Sequence, residues 1–183
     1  MKACFIGAVD FSKSLLAHLI GHDGIDVVGV VTRRESNFNA DHYDLSPLAL
    51  NHGIPVHYPD NTNPEKLLAW LADLQPDIIF CLGWSYLLPD QILNLPEHGV
   101  IGYHPALLPR NRGRHPIIWA LVLGLSETGS TFFQMDTGAD SGDIISQRRV
   151  PIHPDDDAAR LYKRLNETAE EQLAEITLAL TRG

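Results

Sequence analysis

Cysteine is scarce in this chain, with two in 183 residues. Cys4 and Cys81 each sit inside a strand-like apolar run. Buried free thiols are therefore expected ahead of a disulfide, and a cytoplasmic, reducing location follows. Long hydrophobic runs are missing too. No stretch approaches the ~20 apolar residues that cross a bilayer. The apolar start Met1 to Gly7 is too short for a signal peptide, is closed by Asp10, and reads as a first strand. Basic residues are few: 14 Lys and Arg stand against 23 Asp and Glu, for a formal charge of −9. That balance lacks the basic footprint of a nucleic-acid binder, leaving only a local patch at Arg110, Arg112 and Arg114. Nine histidines are present, yet no His-Glu-x-x-His or Cys-x-x-Cys occurs, so no metal site is expected. A Ser nucleophile elbow of the G-x-S-x-G type is absent. So is the dinucleotide fingerprint G-x-G-x-x-G. The first turn, Gly7-Ala8-Val9-Asp10, reads instead as a tight turn with Asp10 as helix N-cap.

What is present is an ordinary globular composition, 44% hydrophobic, in a chain of single-domain length (1–183). Such a chain buries roughly 70% of its unfolded surface. Lys2–Gly7, Ile25–Thr32, Ile54–His57, Asp77–Leu82 and Gly99–His104 read as strands. Phe11–Ile20, Leu45–Asn51, Pro64–Leu74 and Leu87–Leu95 read as helices between them. Residues 33–44 form a polar loop. The run Asp77–Leu82 is apolar throughout, as expected of a parallel strand covered on both faces. His115–Leu123 is apolar nearly all round and is expected to be a buried helix. Ser130–Met135 and Ile144–Ile152 suggest a β-hairpin. Spacings of three and four among Leu161, Leu165, Ala169, Leu173 and Ile176 mark a long terminal helix over 156–181. Alternating strands and helices predict an α/β fold with a mostly parallel, Rossmann-like sheet flanked by helices, ending in the hairpin and the long helix.

The chemistry concentrates after the Gly99–His104 strand. Gly102-Tyr103-His104-Pro105-Ala106-Leu107-Leu108-Pro109 is followed by Arg112-Gly113 and later by the acidic loop Asp136 to Asp143, with Asp140 inside it. A histidine at a strand end faces the crevice where open α/β sheets bind ligands. Imidazole there can take a proton or stabilise developing charge. An Asp in a Gly-rich turn is usually turn chemistry. Asp136 reads as solvated and Asp143 as a hairpin residue. Residues 102 and 104 share one face of their strand, and Tyr103 faces the other way.

These motifs resemble the folate-dependent formyltransferase family, whose pattern reads Asn-x-His-x-Ser-Leu-Leu-Pro, then Arg-Gly, then Leu-Asp-x-Gly. The segments Cys81-Leu82-Gly83-Trp84-Ser85-Tyr86-Leu87-Leu88-Pro89 and Glu127-Thr128-Gly129-Ser130-Thr131 extend the likeness, which is strongest from Asp77 to Pro151. The resemblance implies N10-formyltetrahydrofolate as formyl donor and a small-molecule primary amine as acceptor. The acidic balance, the short apolar runs and the missing ligand motifs add the expectation of no nucleic acid, no membrane and no metal, and a homodimer is one possible state. His104 matches the catalytic histidine and Asp140 the aspartate that orients it and relays the amine proton. Trp84, Leu87 and Leu88 would meet the pterin, together with Gly138, Ala139 and Ser141. Arg112, Arg114 and His115 would meet the acceptor. Gly102 stands where the family has its catalytic Asn, an amide that donates to the developing oxyanion. A donor of that kind is worth about 10²–10³ in rate. Asn111, Arg114, His115 or an ordered water in the space left by Gly102 are the candidates to replace it.

Within the family, Arg-Gly-x-x-Pro and Ser36-Asn37-Phe38-Asn39-Ala40-Asp41 look most like the sugar-nucleotide N-formyltransferases. The core is also similar to that of methionyl-tRNA formyltransferases, which carry a basic C-terminal domain. The phosphate-gripping first loop of glycinamide ribonucleotide formyltransferases is not evident in Gly7 to Ser12. Transfer to an amino sugar or sugar nucleotide is the expected activity. Hydrolysis of formyltetrahydrofolate, or a silent folate or nucleotide-sugar binding module, are the alternatives.

Overall fold

The computed structural model describes residues 1–37, 39–60 and 62–182. Phe38, within the sugar-transferase-like segment, lies outside them. The chain runs β1 (Lys2–Ile6), α1 (Asp10–Ile20), β2 (Asp26–Val31), α2 (Ser46–Asn51), β3 (Val56–His57), α3 (Pro64–Leu74), β4 (Ile78–Cys81), α4 (Asp90–Leu93), β5 (Val100–His104), α5 (Pro116–Val122), β6 (Glu127–Gln134), β7 (Ile144–Pro151) and α6 (Ala158–Arg182). One seven-stranded sheet has the order β3-β2-β1-β4-β5-β6-β7. The pairs from β3 to β5 are parallel. β5–β6 and β6–β7 are antiparallel.

Strand alternation divides the apolar residues between two cores. Ala3 and Phe5 of β1 and Ile78 and Phe80 of β4 face one side, against Leu15, Leu16 and Leu19 of α1 and Ala169, Leu173 and Ile176 of α6. Cys4, Ile6, Ile79 and Cys81 face the other, against Leu67 and Leu71 of α3 and Ile92 and Leu93 of α4. This two-sided burial is why β4 reads as continuously apolar. It also pushes both thiols up to about 12, because a thiolate in an apolar layer loses its hydration. Both cysteines are free. Among the described residues no helix is long and apolar enough to cross a membrane.

Two expectations are corrected. Asp10 is not the N-cap: Val9 holds that position, in extended conformation, and Asp10 is the first helical residue. Gly7 supplies the turn, since a Cβ there would lie 2.5 Å from the Leu82 carbonyl oxygen and 2.6 Å from Ser12 Oγ. Helix α5 is not buried. Only one stripe finds a partner, with Ile117 and Leu121 against Val150, Leu161 and Leu165. Ile118, Trp119, Val122 and Leu123 stay exposed. A seven-residue helix packed against α6 and the β6–β7 pair has neighbours on one side, so all-round apolarity cannot bury it.

Candidate active site

The carboxyl ends of β4 and β5 open into a cleft of about 690 Å³. Its floor is Cys81, Gly102, Phe133 and Met135. One wall is Trp84 to Leu87 and the other Gly138 to Asp140. A shallower depression between residues 93–99 and 134–137 shares only Met135 with it.

His104 ends β5 and is 5% exposed. The chain then turns sharply through Pro105 and a cis Leu108–Pro109 bond. Hydroxyls from the hairpin hold that turn: Thr131 Oγ1 donates to the Ala106 carbonyl at 2.7 Å and Thr128 Oγ1 to that of Pro105 at 3.2 Å. Gln147 Nε2 donates to the Leu108 carbonyl at 3.0 Å. The turn brings residues 111–115 back over the strand end.

His104 Nε2 lies 2.8 Å from the Asn111 carbonyl oxygen. A carbonyl only accepts, so Nε2 carries a hydrogen. His104 Nδ1 lies 3.5 Å from Asp140 Oδ2. Both ring nitrogens thus face oxygen acceptors, Nε2 at hydrogen-bond distance and Nδ1 at ion-pair distance. Asp140 Oδ2 also accepts from the Gly113 N–H at 2.9 Å, tying the acidic loop to the Arg112–Gly113 turn. Asn111, His115 and Asp140 all have positive φ, at 54°, 58° and 53°. Non-glycine residues seldom adopt that region, and such departures concentrate at functional sites.

Gly102 is buried on the His104 face, but it leaves no gap. A Cβ there would lie 2.7 Å from Met135 Cγ and 3.0 Å from Phe133 Cζ. Met135 occupies the volume in which a water or a loop amide was expected. Asn111 offers His104 its carbonyl oxygen, an acceptor, while its exposed side chain is not among the groups lining the cleft. The expected oxyanion donor from Asn111 is therefore corrected to a backbone acceptor.

Trp84 and Leu87 line the cleft beside Tyr86. Trp84 and Tyr86 have ring centroids 5.4 Å apart. The Arg33 guanidinium lies over both rings, 5.2 and 4.2 Å from their centroids. Leu88 turns the other way, into the core around α4, and does not join the wall as expected. Gly138 and Ala139 line the cleft. Ser141 does not, because its hydroxyl donates to Asp136 Oδ1 at 2.6 Å. Asp136 also accepts from the Gly138 N–H at 3.0 Å, so this exposed carboxylate shapes the loop. Arg114 and His115 line the cleft and Arg112 stands outside it. Among the described residues no group of His, Cys, Asp or Glu is arranged to hold a metal.

Sequence reasoning missed an entire end of the cleft: Asn39, Asp41, Tyr162, Leu165 and Asn166. The Tyr162 hydroxyl donates to Asp41 Oδ2 at 2.9 Å and accepts the Phe11 N–H at 3.1 Å. Burial and then the Asp41 charge push this phenol above its usual range. The readable signals were the Ser36–Asp41 segment, quoted for its family likeness but given no site role, and a polar pair, Tyr162 and Asn166, four apart beside the apolar stripe of α6.

The family profile described as Formyl transferase matches residues 1–177. The chain is 38% identical to the methionyl-tRNA formyltransferase of Geobacter metallireducens, with all of this chain aligned to 61% of that protein. It thus spans about three fifths of such relatives. Its structure resembles the phosphoribosylglycinamide formyltransferase of Streptococcus pneumoniae TIGR4, with a TM-score of 0.82, 24% identity and 98% of each chain covered. It also resembles a formyltetrahydrofolate deformylase of Pseudomonas syringae pv. tomato, with a TM-score of 0.78 and 22% identity, covering 95% of this chain and 58% of that one. At these identities the two structures speak for the fold.

Proposed function

The chain belongs to the formyl transferase family, and on that premise we propose that it transfers a formyl group from N10-formyltetrahydrofolate to the primary amine of a small acceptor, an amino sugar or sugar nucleotide. The observation that carries this reading is the His104–Asp140 couple, 3.5 Å apart, with both residues lining the cleft. The donor fits the walls. A flat heterocycle can lie against the Trp84–Tyr86 pair and Leu87, while backbone groups at 138–140 meet its polar edge. When bound, N10-formyltetrahydrofolate supplies the formyl carbon as the electrophile.

His104 stands at the end of β5 with its ring lining the cleft, next to the place the reacting carbonyl would take. Its Nε2–H, which here meets the Asn111 carbonyl, would serve the developing oxyanion if the bound substrate displaced that carbonyl. Asp140, beside Nδ1, would accept the proton lost by the attacking amine; collapse of the adduct would break the bond between the formyl carbon and N10, and tetrahydrofolate would leave with N10 protonated. Arg114 and His115 at the rim, with Arg112 just outside, would meet the acceptor's anionic part. Gly102 supplies no strand-mounted amide donor and Met135 fills the space a substitute would need, so turnover should be slow.

A methionyl-tRNA acceptor is the second reading, favoured by the name of the Geobacter relative. The discriminating experiment supplies N10-formyltetrahydrofolate with amino sugars, nucleotide-linked amino sugars and methionyl-tRNA in parallel. Tetrahydrofolate formation dependent on a sugar amine supports the proposal. Dependence on methionyl-tRNA alone overturns the acceptor class. Formate release without any amine marks a hydrolase. Donor binding with no turnover on any arm marks a binding module.

A further inference from the structure

The overlooked end of the cleft carries information about the acceptor. Helix α1 points its N-terminus there, and Val9 and Phe11 line the cleft. The free N–H groups of a helix start ordinarily make an anion site. Here they are already taken. The Asp10 N–H donates to the Asp41 carbonyl at 2.9 Å and the Ser12 N–H to that of Val9 at 2.9 Å. The Phe11 N–H donates to the Tyr162 hydroxyl at 3.1 Å. That hydroxyl is fixed in turn by Asp41 Oδ2. The charge has the wrong sign as well. Asp10 lies in the first turn and Asp41 lines the cleft. A phosphate carrying about −1.5 to −2 would be set against carboxylates.

The same groups suit hydroxyls and amines. Asp41 Oδ1 and the Asn166 amide have no hydrogen-bond partner among the described residues, and both residues line the cleft. Asn39 and Ser85, hydrogen-bonded to each other at 3.2 Å, line it beside them. A carboxylate oxygen that only accepts and an amide that both donates and accepts match the vicinal hydroxyls of a sugar ring.

We propose that Asp41, Tyr162 and Asn166 select the acceptor, refusing a phosphate at this end of the cleft and holding the polyhydroxylated part of the amine there. The proposal rests on the formyl-transfer reading for the role of the bound amine. Tyr162 acts as a positioning residue, since it keeps the helix start closed and aims Asp41.

Amide NMR titrations of the folded protein test it, with inorganic phosphate and glucosamine as probes. In the wild type, tens of millimolar phosphate should leave the Phe11 and Ser12 amides in place, and glucosamine should move the Asn166 side-chain amide. Asp41→Asn should tighten phosphate binding at Phe11 by about tenfold, the effect of removing one nearby like charge. Asn166→Ala, an interior helix change that frees no buried partner, should weaken glucosamine binding while leaving phosphate unbound. Millimolar phosphate binding at the Phe11 amide of the wild type overturns the exclusion. Glucosamine that leaves Asn166 unmoved, or binds Asn166→Ala equally well, overturns the selection. A folate titration of the same sample reports separately on the formyl-transfer reading, which can fail while phosphate exclusion stands.

Discussion

Replacing Gly102 by Asn restores the residue type of the family pattern, and the structure says what that costs. The added Cβ would lie 2.7 Å from Met135 Cγ, 3.0 Å from Phe133 Cζ and 3.1 Å from Met135 Sδ. Carbon atoms pack at about 3.5–4.0 Å. Phe133 is 3% exposed and cannot retreat, so Met135, with three rotatable bonds, must turn aside before the amide is even accommodated. Overpacking of this kind costs about 1–3 kcal/mol. Removing a glycine returns about 0.4–1 kcal/mol through the unfolded chain, too little to reverse the sign. In a domain of this size the melting temperature should fall by roughly 2–10 °C. Met135→Ala vacates the contested volume. In the double variant the amide should occupy it, giving a favourable coupling of about 1 kcal/mol or more in a double-mutant cycle. Urea denaturation followed by circular dichroism measures each corner. Turnover at saturating donor measures the chemistry, and the double variant should exceed Met135→Ala alone by about tenfold or more if an oxyanion donor is what the site lacks. Strict additivity of the two stability changes would refute the claim that Met135 and a residue-102 side chain compete for one space.

Changing His104 to Ala or Asp140 to Asn should lower turnover by about 10² or more, with folate affinity within a few fold; lost affinity at unchanged saturated turnover would show that they hold ligand only. A folate analogue at about a hundred times its Kd should raise the melting temperature by roughly 5–10 °C, and no shift for a folded sample would remove the donor assignment. Asp156 receives a bidentate pair from Arg164 at 2.7 and 3.0 Å and the His153 N–H at 2.8 Å. These hold its carboxyl far below the ordinary value of 3.8. A depressed carboxylate contributes stability in full above that ordinary value and loses it as pH falls towards the folded one. Asp156→Asn should therefore melt lower than wild type at neutral pH, with the gap closing in strong acid; a gap that stays constant down to the acid limit would contradict the sign.

The elements were legible because each depends on local pattern. Helix α3 falls at Pro64–Leu74 as read, opened by its proline and carried by Leu67 and Leu71. β4 was legible because a strand covered on both faces has no polar side to disguise it. His104 and Asp140 were visible through ordered motifs. The family pattern carried that information, since composition alone gives a strand-end histidine no special weight. Three things depended on packing between distant segments. The filling of the Gly102 space comes from Met135, which follows the neighbouring strand β6. The role of Asn111 comes from a backbone carbonyl, and main-chain groups carry no residue-specific signal. The acceptor end joins Asp41 to Tyr162 across 121 residues, a pairing made only when α6 packs beside α1. Local periodicity determines which stretches become helices and strands. Which atoms share a cleft is decided when two cores close on opposite faces of one sheet.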